Sequence, residues 1–452
     1  MRERFIVEGL AGEKKLKGDI AVCGAKNAAL KFLAASILFE DDVRFSNMPD
    51  IEDVRRACEL LRAAGAGVVV ENGVVTVRQP VNNDKTNSPA PNPLPREGWG
   101  QEALWRTDLD RTIACRMRAS IVFTGPMLAR AGQVSFPFPG GCVLGERPID
   151  LFLKGFSILG ADVSETEDNF TVRAAQGLRG AKIFFPFISV TATETLILAA
   201  VLAHGETVID NAATEPEIVS LVEMLNACGA HIEGVGTSSI RIFGTAGKLL
   251  SSNGKIFAVP PDRIEAGCFI VVAALAGNDV TIKKCEPKHL QVLLELLKQA
   301  GVNMEIGTDF VRIRATENPY KNVSVRTHEY PGFPTDLQAP MAIFLTQCVG
   351  DATILETIFD GRFRYAEDLI KMGADIIVMN PHKILVRGPK TLYHAKLESP
   401  DLRAGLAYII AASIAHGTSA IDNAYLIDRG YERIEERLRG LGLNIKREKS
   451  DE

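Results

Sequence analysis

One phrase recurs six times along the chain and constrains the fold more than any other feature. In each copy an apolar helix is followed by a short strand, a second helix, a glycine and another strand. The glycines are Gly65, Gly160, Gly229, Gly301, Gly373 and Gly442, at intervals of 95, 69, 72, 72 and 69 residues. Each glycine is expected to cap its helix and turn the chain into the next strand. Because one copy cannot bury its apolar face alone, the repeat predicts copies packed together, with helices inside and sheets outside.

The third copy serves as the model for the others. It predicts an apolar helix over residues 195–204 that is closed by Gly205, and a strand over residues 206–210. A second helix over residues 216–227 and a strand over residues 231–233 complete it. The predicted fold class is therefore α/β (α+β), built from small sheets and paired helices.

Six copies suggest two lobes of three copies each. The prolines of Val259-Pro260-Pro261-Asp262 mark the seam, so the first lobe is predicted over residues 26–260. The second lobe is predicted to be discontinuous, formed by residues 1–25 and 261–452. Two N-terminal strands within residues 5–22 precede the first copy and would complete the second lobe by pairing with the end of that lobe. The one long interval contains a Pro- and Asn-rich segment without periodicity, which predicts an inserted loop over residues 79–105.

Composition excludes several classes of protein. A net charge of −5 argues against a nucleic-acid surface, and a hydrophobic content of 46% allows sizeable cores. No run approaches the ~18 apolar residues of a membrane span, and the N-terminal sequence leads into a strand rather than a signal-peptide core, so we expect a cytoplasmic protein. The eight cysteines are scattered, without a CxxC pair or a zinc-like histidine spacing, and indicate buried, reduced thiols rather than disulfides or a metal site.

The segment FPFPGGCVLGERPIDL, residues 136–151, is the first candidate for chemistry. Two glycines directly before Cys142 indicate a shaped loop with the thiol at its tip. Arg147, five residues further on, could favour the thiolate. An ordinary turn with a buried cysteine is the alternative, because free cysteines usually behave as small apolar residues.

Cationic side chains recur where the repeat predicts the ends of elements. Lys26 lies where a strand passes into an apolar helix, a position that suits either a solvated side chain or one that shares a bound anion with the helix N-terminus. Taken singly, each of the arginines is expected at the surface; together they could converge in the cleft between lobes and hold a small polyanion. These arginines are Arg118, Arg147, Arg362, Arg403 and Arg429.

Two carboxylates accompany the arginines. Asp336 and Asp401 would be ionised beside guanidinium groups, and so would act as proton acceptors rather than donors. A thiol, a carboxylate base and a cage of arginines indicate chemistry on a phosphorylated small acid.

Nine phrases together resemble a known family. They are GAKNAAL, MRASI, PGGCVLGERPIDL, EPEIV, PDRIEAG, FPTDLQA, FDGRF, DLRA and IDRGYERIE. In combination they are similar to the UDP-N-acetylglucosamine 1-carboxyvinyltransferases, the enolpyruvyl transferases that open bacterial peptidoglycan synthesis, and the resemblance runs nearly end to end. It implies two lobes of three βαβαββ units with helices inward, an inside-out α/β barrel. It also implies transfer of the enolpyruvyl group of phosphoenolpyruvate to the 3-hydroxyl of UDP-N-acetylglucosamine, with release of phosphate and no cofactor.

The resemblance assigns roles residue by residue. It implies that Cys142 protonates the enolpyruvyl methylene group and can form a covalent adduct, and that Asp336 takes the proton of the sugar hydroxyl. The cations divide between two groups of the substrate, with Lys26, Arg147 and Arg429 at the phosphate and Arg362 and Arg403 at the carboxylate. The remaining substrate-binding residues would be Asn27 and Asp336 at the N-acetylglucosamine, Arg118, Pro148, Asp150, Leu151, Ser189 and Val190 at the uridine diphosphate, and Ile358 and Asp401.

Two departures fall in the nucleotide half of this implied site. Phe152 stands where the family commonly has a histidine, and Thr191 stands where it usually has a glycine. Both bear on the identity of the sugar nucleotide more than on the enolpyruvyl chemistry. Two alternatives therefore stay open: a divergent enzyme that uses another acceptor, and a binding homologue without turnover.

Overall fold

A computed structural model describes residues 3–71, 73–80, 105–138 and 149–449 of the chain. The described residues divide into two compact units. Unit one contains those up to residue 25 and from residue 261 onward, and unit two contains those between residues 26 and 260. None of the helices in these ranges combines the length and apolarity needed to cross a bilayer.

Two strands of unit one come first in the chain, β1 (Glu3–Glu8) and β2 (Leu16–Ala21). Unit two then has the helices α1 (Lys26–Ala35), α2 (Glu52–Ala63), α3 (Arg111–Ala114), α4 (Thr124–Ala131), α5 (Asp150–Ile158), α6 (Val190–Ala200) and α7 (Pro216–Asn226). Its strands are β3 (Val43–Ser46), β4 (Gly67–Glu71), β5 (Val74–Arg78), β6 (Gln133–Pro137), β7 (Asp162–Glu165), β8 (Asn169–Arg173), β9 (Lys182–Phe184), β10 (Glu206–Asp210), β11 (His231–Glu233), β12 (Ser239–Phe243) and β13 (Ile256–Ala258). Two 3₁₀ helices, Ser36–Leu38 and Arg118–Phe123, join them.

The rest of unit one follows the same plan. Its helices are α8 (Arg263–Ala276), α9 (Gln291–Gln299), α10 (Gln338–Thr346), α11 (Tyr365–Lys371), α12 (Leu402–Ile414), α13 (Ala424–Asp428) and α14 (Ile434–Gly440). Its strands are β14 (Gly277–Lys283), β15 (Asn303–Ile306), β16 (Phe310–Arg314), β17 (Val325–Arg326), β18 (Gly350–Leu355), β19 (Asp375–Asn380), β20 (Lys383–Gly388), β21 (Lys396–Glu398), β22 (Thr418–Asp422) and β23 (Asn444–Lys449). The 3₁₀ helices Pro287–Leu290 and Thr335–Leu337 precede α9 and α10.

Three sheets form in each unit among the described residues. Those of unit two have the strand orders β13-β3-β5-β4, β6-β8-β7 and β11-β12-β10-β9, and those of unit one β15-β16-β14-β2, β17-β18-β20-β19 and β21-β22-β1-β23. In every four-stranded sheet one edge pair is parallel and the other pairs are antiparallel. The antiparallel three-stranded sheet has in place of the parallel pair a single bridge between Asp108 and Ser135. The predicted pattern of three βαβαββ copies per unit is confirmed.

The third copy is continuous in the chain and tests the prediction for single elements. The strands predicted over residues 206–210 and 231–233 are β10 and β11, and the second helix ends within one residue of its predicted end. The first helix, α6, instead begins five residues before the predicted start and ends at Ala200. It begins earlier because Ser189 caps it and the hydroxyl groups of Thr193 and Thr195 donate to carbonyl oxygens one turn back. Those bonds let threonines lie buried inside the helix.

The N-terminal strands join different sheets of unit one. β1 lies between β22 and β23 and pairs antiparallel with both, from Glu3 opposite Lys449 to Glu8 opposite Asn444 on the β23 side. This agrees with the predicted pairing to the end of the chain. β2 instead pairs in parallel with β14, so the same prediction is wrong for the second strand.

All six repeat glycines adopt the conformation that the sequence predicted. Their φ angles lie between +90° and +110°, a region that side chains disfavour. At each one the following N–H donates to a carbonyl oxygen five residues back, over 2.9 to 3.2 Å, as in Ala230 to Leu225. This is the Schellman ending of α2, α5, α7, α9, α11 and α14.

Apolar helices form the core of each unit. In unit one every residue of α8 after Arg263 is buried, and so are all residues of α10 and all residues of α12 after Leu402. In unit two α1 and α6 are buried in the same way, apart from Asn27 and the first turn of α6. Each fully buried Leu, Ile or Phe side chain contributes about 1.5–3 kcal/mol, so these central helices supply much of the stability of their units.

Candidate active site

Asp336 lies between two arginines in unit one. It is the middle residue of the 3₁₀ helix Thr335–Leu337 that leads into α10. Arg362 donates through Nη2 to Oδ1 over 2.8 Å, and Arg403 donates through Nε to Oδ2, also over 2.8 Å. The Asp336 side chain keeps 24% of its surface exposed, whereas those of Arg362 and Arg403 keep 7% and 6%. The structure therefore brings together three of the predicted site residues.

Arg403 is held on its other side by an aromatic residue. Its Nη1 donates to the Tyr431 hydroxyl over 2.7 Å, and its guanidinium carbon lies 5.5 Å from the centre of the Tyr431 ring. Burial by itself would lower the pKa of Arg403, but the charge of Asp336 and the contact with Tyr431 raise it well above its ordinary value. Arg403 is thus a fixed cation.

The N-terminus of α12 positions Arg403 directly. Asp401 is the N-cap, and its Oδ1 accepts from the N–H groups of Arg403 and Ala404 over 2.8 and 3.0 Å. A capping aspartate typically adds about 1 kcal/mol to the helix. This contact gives Asp401 a structural task in addition to the substrate contact that the resemblance implies.

The charges of this cluster favour an anionic ligand. Two guanidinium groups face one carboxylate, so the group of three carries a net positive charge. Forked guanidinium groups suit planar carboxylate and phosphate oxygens. The prediction that each arginine taken singly lies at the surface is wrong for Arg362 and Arg403, whose burial is compensated by Asp336.

The other predicted residues of unit one lie on neighbouring loops. Ile358 is half-buried in the loop after β18, and its N–H donates to Oε1 of Glu356 over 2.8 Å. Arg429 is half-buried and is the C-cap of the short helix α13. Asp428, the residue before it, accepts both Nη groups of Arg447, which fixes the end of that helix.

Lys26 forms the corresponding cluster in unit two. It is the first residue of α1, and its Nζ lies 2.7 Å from Oδ2 of Asp53, with side-chain exposures of 10% and 4%. The reading of Lys26 as a solvated lysine is wrong, because Asp53 accompanies it into the interior. A carboxylate of the chain itself offsets the unfavourable position of a cation at a helix N-terminus.

The remaining predicted residues of unit two lie at the starts of helices. Arg118 begins a 3₁₀ helix, Asp150 is the exposed first residue of α5, and Ser189 caps α6 by accepting the Ala192 N–H over 3.3 Å. Asn27, Leu151 and Val190 are half-buried next to these positions. Of the two departures, Phe152 is buried in α5 and Thr191 is half-buried in the first turn of α6.

Cys142, Arg147 and Pro148 lie outside the described residues, as does most of the segment predicted as an inserted loop. The described cysteines are free thiols, and five of these seven are buried, as predicted. Burial raises the pKa of Cys58, Cys228 and Cys285 to about 11, and that of Cys23, Cys268 and Cys348 to about 12. These six are poor nucleophiles at neutral pH because little thiolate is present.

Three residues of these clusters were not found from the sequence. Asp53 is a first-turn carboxylate of α2 that resembles an ordinary helix-start residue, and only the fold brings it to Lys26. Tyr431 is an aromatic residue in a charged stretch without a recognisable spacing. Glu356 follows a strand and is 1% exposed. A glutamate directly after an apolar strand is the one sequence signal that could have singled it out.

The described part of the chain contains no group of three His, Cys, Asp or Glu side chains arranged to bind a metal ion. The clusters around Asp336 and Lys26 instead pair a carboxylate with cationic side chains.

The sequence matches one protein family over most of its length. The sequence model of the family EPSP synthase (3-phosphoshikimate 1-carboxyvinyltransferase) matches residues 10–95 and 98–438. A UDP-N-acetylglucosamine 1-carboxyvinyltransferase of Koribacter versatilis (strain Ellin345) is 41% identical over 445 residues, which cover 98% of this chain and 96% of the relative. A protein with the same name from Campylobacter fetus subsp. fetus (strain 82-40) is 41% identical over 439 residues, covering 97% and 98%.

Solved structures share the fold. The enolpyruvyl transferase NikO from Streptomyces tendae superimposes with a TM-score of 0.81 at 22% identity, covering 99% of both chains. An EPSP synthase from Acinetobacter baumannii gives a TM-score of 0.72 at 20% identity, covering 99% of this chain and all of the other. Similarity of sequence and of fold lead to one conclusion. The chain belongs to the EPSP synthase family of enolpyruvyl transferases.

Proposed function

We propose that the protein transfers the enolpyruvyl group of phosphoenolpyruvate to the 3-hydroxyl of UDP-N-acetylglucosamine and releases phosphate. The observation that carries the proposal is the 41% identity, over 98% of the chain, to relatives named for this reaction. The trio of Asp336, Arg362 and Arg403 supports it, because it combines a proton acceptor with cations for an anionic substrate. In bacteria this step would be the first committed one of peptidoglycan synthesis, in the cytoplasm.

The reaction proceeds by addition and elimination. The sugar 3-oxygen forms a bond to C2 of phosphoenolpyruvate, its proton passes to a carboxylate, and C3 takes a proton from an acid. The resulting tetrahedral ketal carries both phosphate and sugar at C2. When the bond from C2 to the phosphate oxygen breaks and C3 loses a proton, the vinyl group forms again on the sugar.

Asp336 is our candidate for the carboxylate that accepts the hydroxyl proton. It is the one member of the trio with a substantial exposed surface, so it can meet a substrate hydroxyl while its arginine partners hold it in place. Arg362 and Arg403 would stabilise the negative charge of the phosphoenolpyruvate carboxylate and of the ketal. Lys26, Arg147 and Arg429 would bind the phosphate, and Cys142 would supply the acid.

The acceptor is the part of the proposal that needs the closest test. Phe152 and Thr191 replace the histidine and glycine that are usual in the nucleotide half of the family site, and the side chain of Thr191 adds bulk at the start of α6. A changed acceptor would leave the chemistry on phosphoenolpyruvate intact. A panel of UDP-sugars separates the two readings.

Phosphate release from phosphoenolpyruvate measures the activity directly. We expect turnover with UDP-N-acetylglucosamine and at least tenfold less with UDP-glucose, UDP-galactose and UDP-N-acetylgalactosamine. The substitution Asp336→Asn should lower kcat by about 100-fold or more, the range expected for loss of a general base.

Asp351→Asn is the matched control for this substitution. Asp351 lies on β18 of the same unit, is 62% exposed and pairs only loosely with Arg387 at 3.6 Å, so its loss should leave kcat unchanged. Turnover with a different UDP-sugar alone would move the proposal to that acceptor. No turnover with any sugar, in protein that is folded and binds phosphoenolpyruvate, would favour a binding homologue.

A further inference from the structure

Glu356 is a buried carboxylate next to the segments that carry the Asp336 cluster. It has no role in the proposed chemistry. It directly follows β18 in unit one and is 1% exposed. A buried carboxylate is costly to desolvate unless hydrogen bonds compensate it. Its partners therefore indicate what it is for.

Four donors converge on the two oxygen atoms of Glu356. Oε2 accepts from the Thr335 hydroxyl and from Nε2 of Gln338, each over 2.8 Å. Oε1 accepts from the N–H groups of Ile358 and Phe359 over 2.8 and 3.1 Å. One side chain thus ties together two segments that are about twenty residues apart in the sequence.

Both tied segments carry residues of the Asp336 cluster. Thr335 and Gln338 flank Asp336 in the turn that leads into α10. Phe359 lies in the loop that leads to Arg362, whose guanidinium carbon is 5.6 Å from the centre of the Phe359 ring. Because Arg362 in turn donates to Asp336, the contacts form a closed ring through Glu356, Thr335, Asp336, Arg362 and Phe359.

We propose that Glu356 is a positioning residue that sets the distance and orientation between the Asp336 carboxylate and the Arg362 guanidinium. It acts through the turn on one side and through the loop on the other, and it does not touch the substrate. The kinetic part of this inference rests on the proposed function, whereas the mechanical part concerns the free protein alone.

The chemistry of the four donors explains why a hydrogen-bonding side chain of this length is needed. An alanine at position 356 would remove the acceptor of two half-buried N–H groups, one half-buried hydroxyl and the buried amide of Gln338. A glutamine could keep Oε1 for the two N–H groups and turn its NH₂ toward Thr335 and Gln338, both of which can accept a hydrogen bond after reorientation. Gln338 has an oxygen, Oε1, that is buried without a hydrogen-bond partner and could take up this role. Glu356→Gln is therefore a conservative variant that should rescue function.

Amide hydrogen exchange on the free protein tests the mechanical part. In Glu356→Ala we expect at least tenfold faster exchange both at Ile358 and Phe359 and at Leu337 and Gln338. In Glu356→Gln exchange should stay within about threefold of that in the unaltered protein. If the amides of Leu337 and Gln338 exchange at an unchanged rate in Glu356→Ala, the two segments are not coupled through this carboxylate and the proposal is overturned.

Steady-state kinetics test the consequence for catalysis. We expect Glu356→Ala to lower kcat by about 100-fold, the effect of a misplacement near 1 Å in a site of this kind, and Glu356→Gln to recover most of it. The double variant Glu356→Ala with Arg362→Ala should lose no more than Arg362→Ala alone, since both changes remove the same arrangement. Losses that multiply, or an unchanged kcat in Glu356→Ala, would overturn the proposal.

Ile354→Ala is the control for a general loss of stability. Ile354 lies on β18 two residues before Glu356 and is fully buried. The Ile354→Ala protein should unfold more easily, but its kcat should be unchanged below its unfolding temperature. A loss of kcat in this control that equals the loss in Glu356→Ala would reduce Glu356 to a structural residue. If the unaltered protein releases no phosphate with any acceptor, the proposed function fails, and the exchange experiment alone still decides whether Glu356 couples the two segments.

Discussion

At the scale of single residues, the interior of unit two contains an ionisable group with a displaced titration. Glu194 on α6 is fully buried, and the Nζ of Lys31 on α1 lies 3.1 Å from its Oε2. Burial raises the pKa of Glu194 to about 7; Lys31 acts against this shift, and the nearby Glu217 and Glu215 add to it. The folded chain therefore holds a proton on Glu194 at pH values where the unfolded chain has released it.

This raised pKa predicts how the stability of unit two depends on pH. Between pH 4.5, the ordinary value, and about 7 the folded state binds more protons than the unfolded state, so stability falls as pH rises. The slope is at most about 1.4 kcal/mol per pH unit. The free energies of unfolding of the unaltered protein and of Glu194→Gln can be compared by urea unfolding. As pH rises through this window, the unaltered protein should lose stability relative to the variant, and above the window the difference should be constant. Parallel pH profiles would contradict the prediction.

At the scale of elements, the left-handed glycines define where the second helix of each copy ends. Gly442 lies just after α14 and has a φ of +101°. Gly440 is the last residue of α14, and its φ is not positive. A Cβ added at either position would meet no atom within 4 Å. The pair separates the effect of backbone conformation from that of crowding.

We expect Gly442→Ala to destabilise the protein by about 1–2 kcal/mol, because alanine disfavours the left-handed region. Gly440→Ala should be neutral or should stabilise by up to about 1 kcal/mol, since alanine is the better helix former. Thermal unfolding of the two variants beside the unaltered protein makes the comparison. Equal effects of both substitutions would show that the predicted helix ending does not depend on glycine.

These glycines also show why much of the fold could be predicted from the sequence. A helix ending and an apolar helix are written locally, in one glycine and in one run of side chains, and both recur six times. The start of α6 was misplaced because a capping serine and two threonines that bond to the helix backbone looked like a polar loop. The site divides in the same way. Asp336, Arg362 and Arg403 lie in recognisable phrases, whereas Asp53 and Glu356 acquire partners only when distant segments meet.

At the scale of the whole molecule, the division into units has a consequence for folding. The strands and helices of unit two all lie within residues 26–260, but unit one needs β1 and β2 from the start of the chain. β1 is an inner strand of its sheet, so its absence would leave β22 and β23 without a shared partner. We propose that residues 1–25 and 261–452 form one folding domain.

A circular permutant tests this proposal. Glu3 pairs with Lys449, so the two chain ends of unit one can be joined by a short linker. We expect a chain of residues 261–452 followed by the linker and residues 1–25 to unfold cooperatively on heating, as monitored by circular dichroism. Residues 261–452 alone should remain unfolded or aggregate. Equal folding of both chains would contradict the proposed domain.

The most direct test of the proposed reaction is the identity of its product. The protein is incubated with phosphoenolpyruvate labelled with ¹³C at C2 and C3 and with UDP-N-acetylglucosamine, and carbon NMR follows the label. The account predicts a vinyl ether whose labelled C2 is bonded to the 3-oxygen of the sugar, with one phosphate released for each molecule formed. Label that stays in phosphoenolpyruvate, or appears only as pyruvate, in a sample whose protein is folded would contradict it.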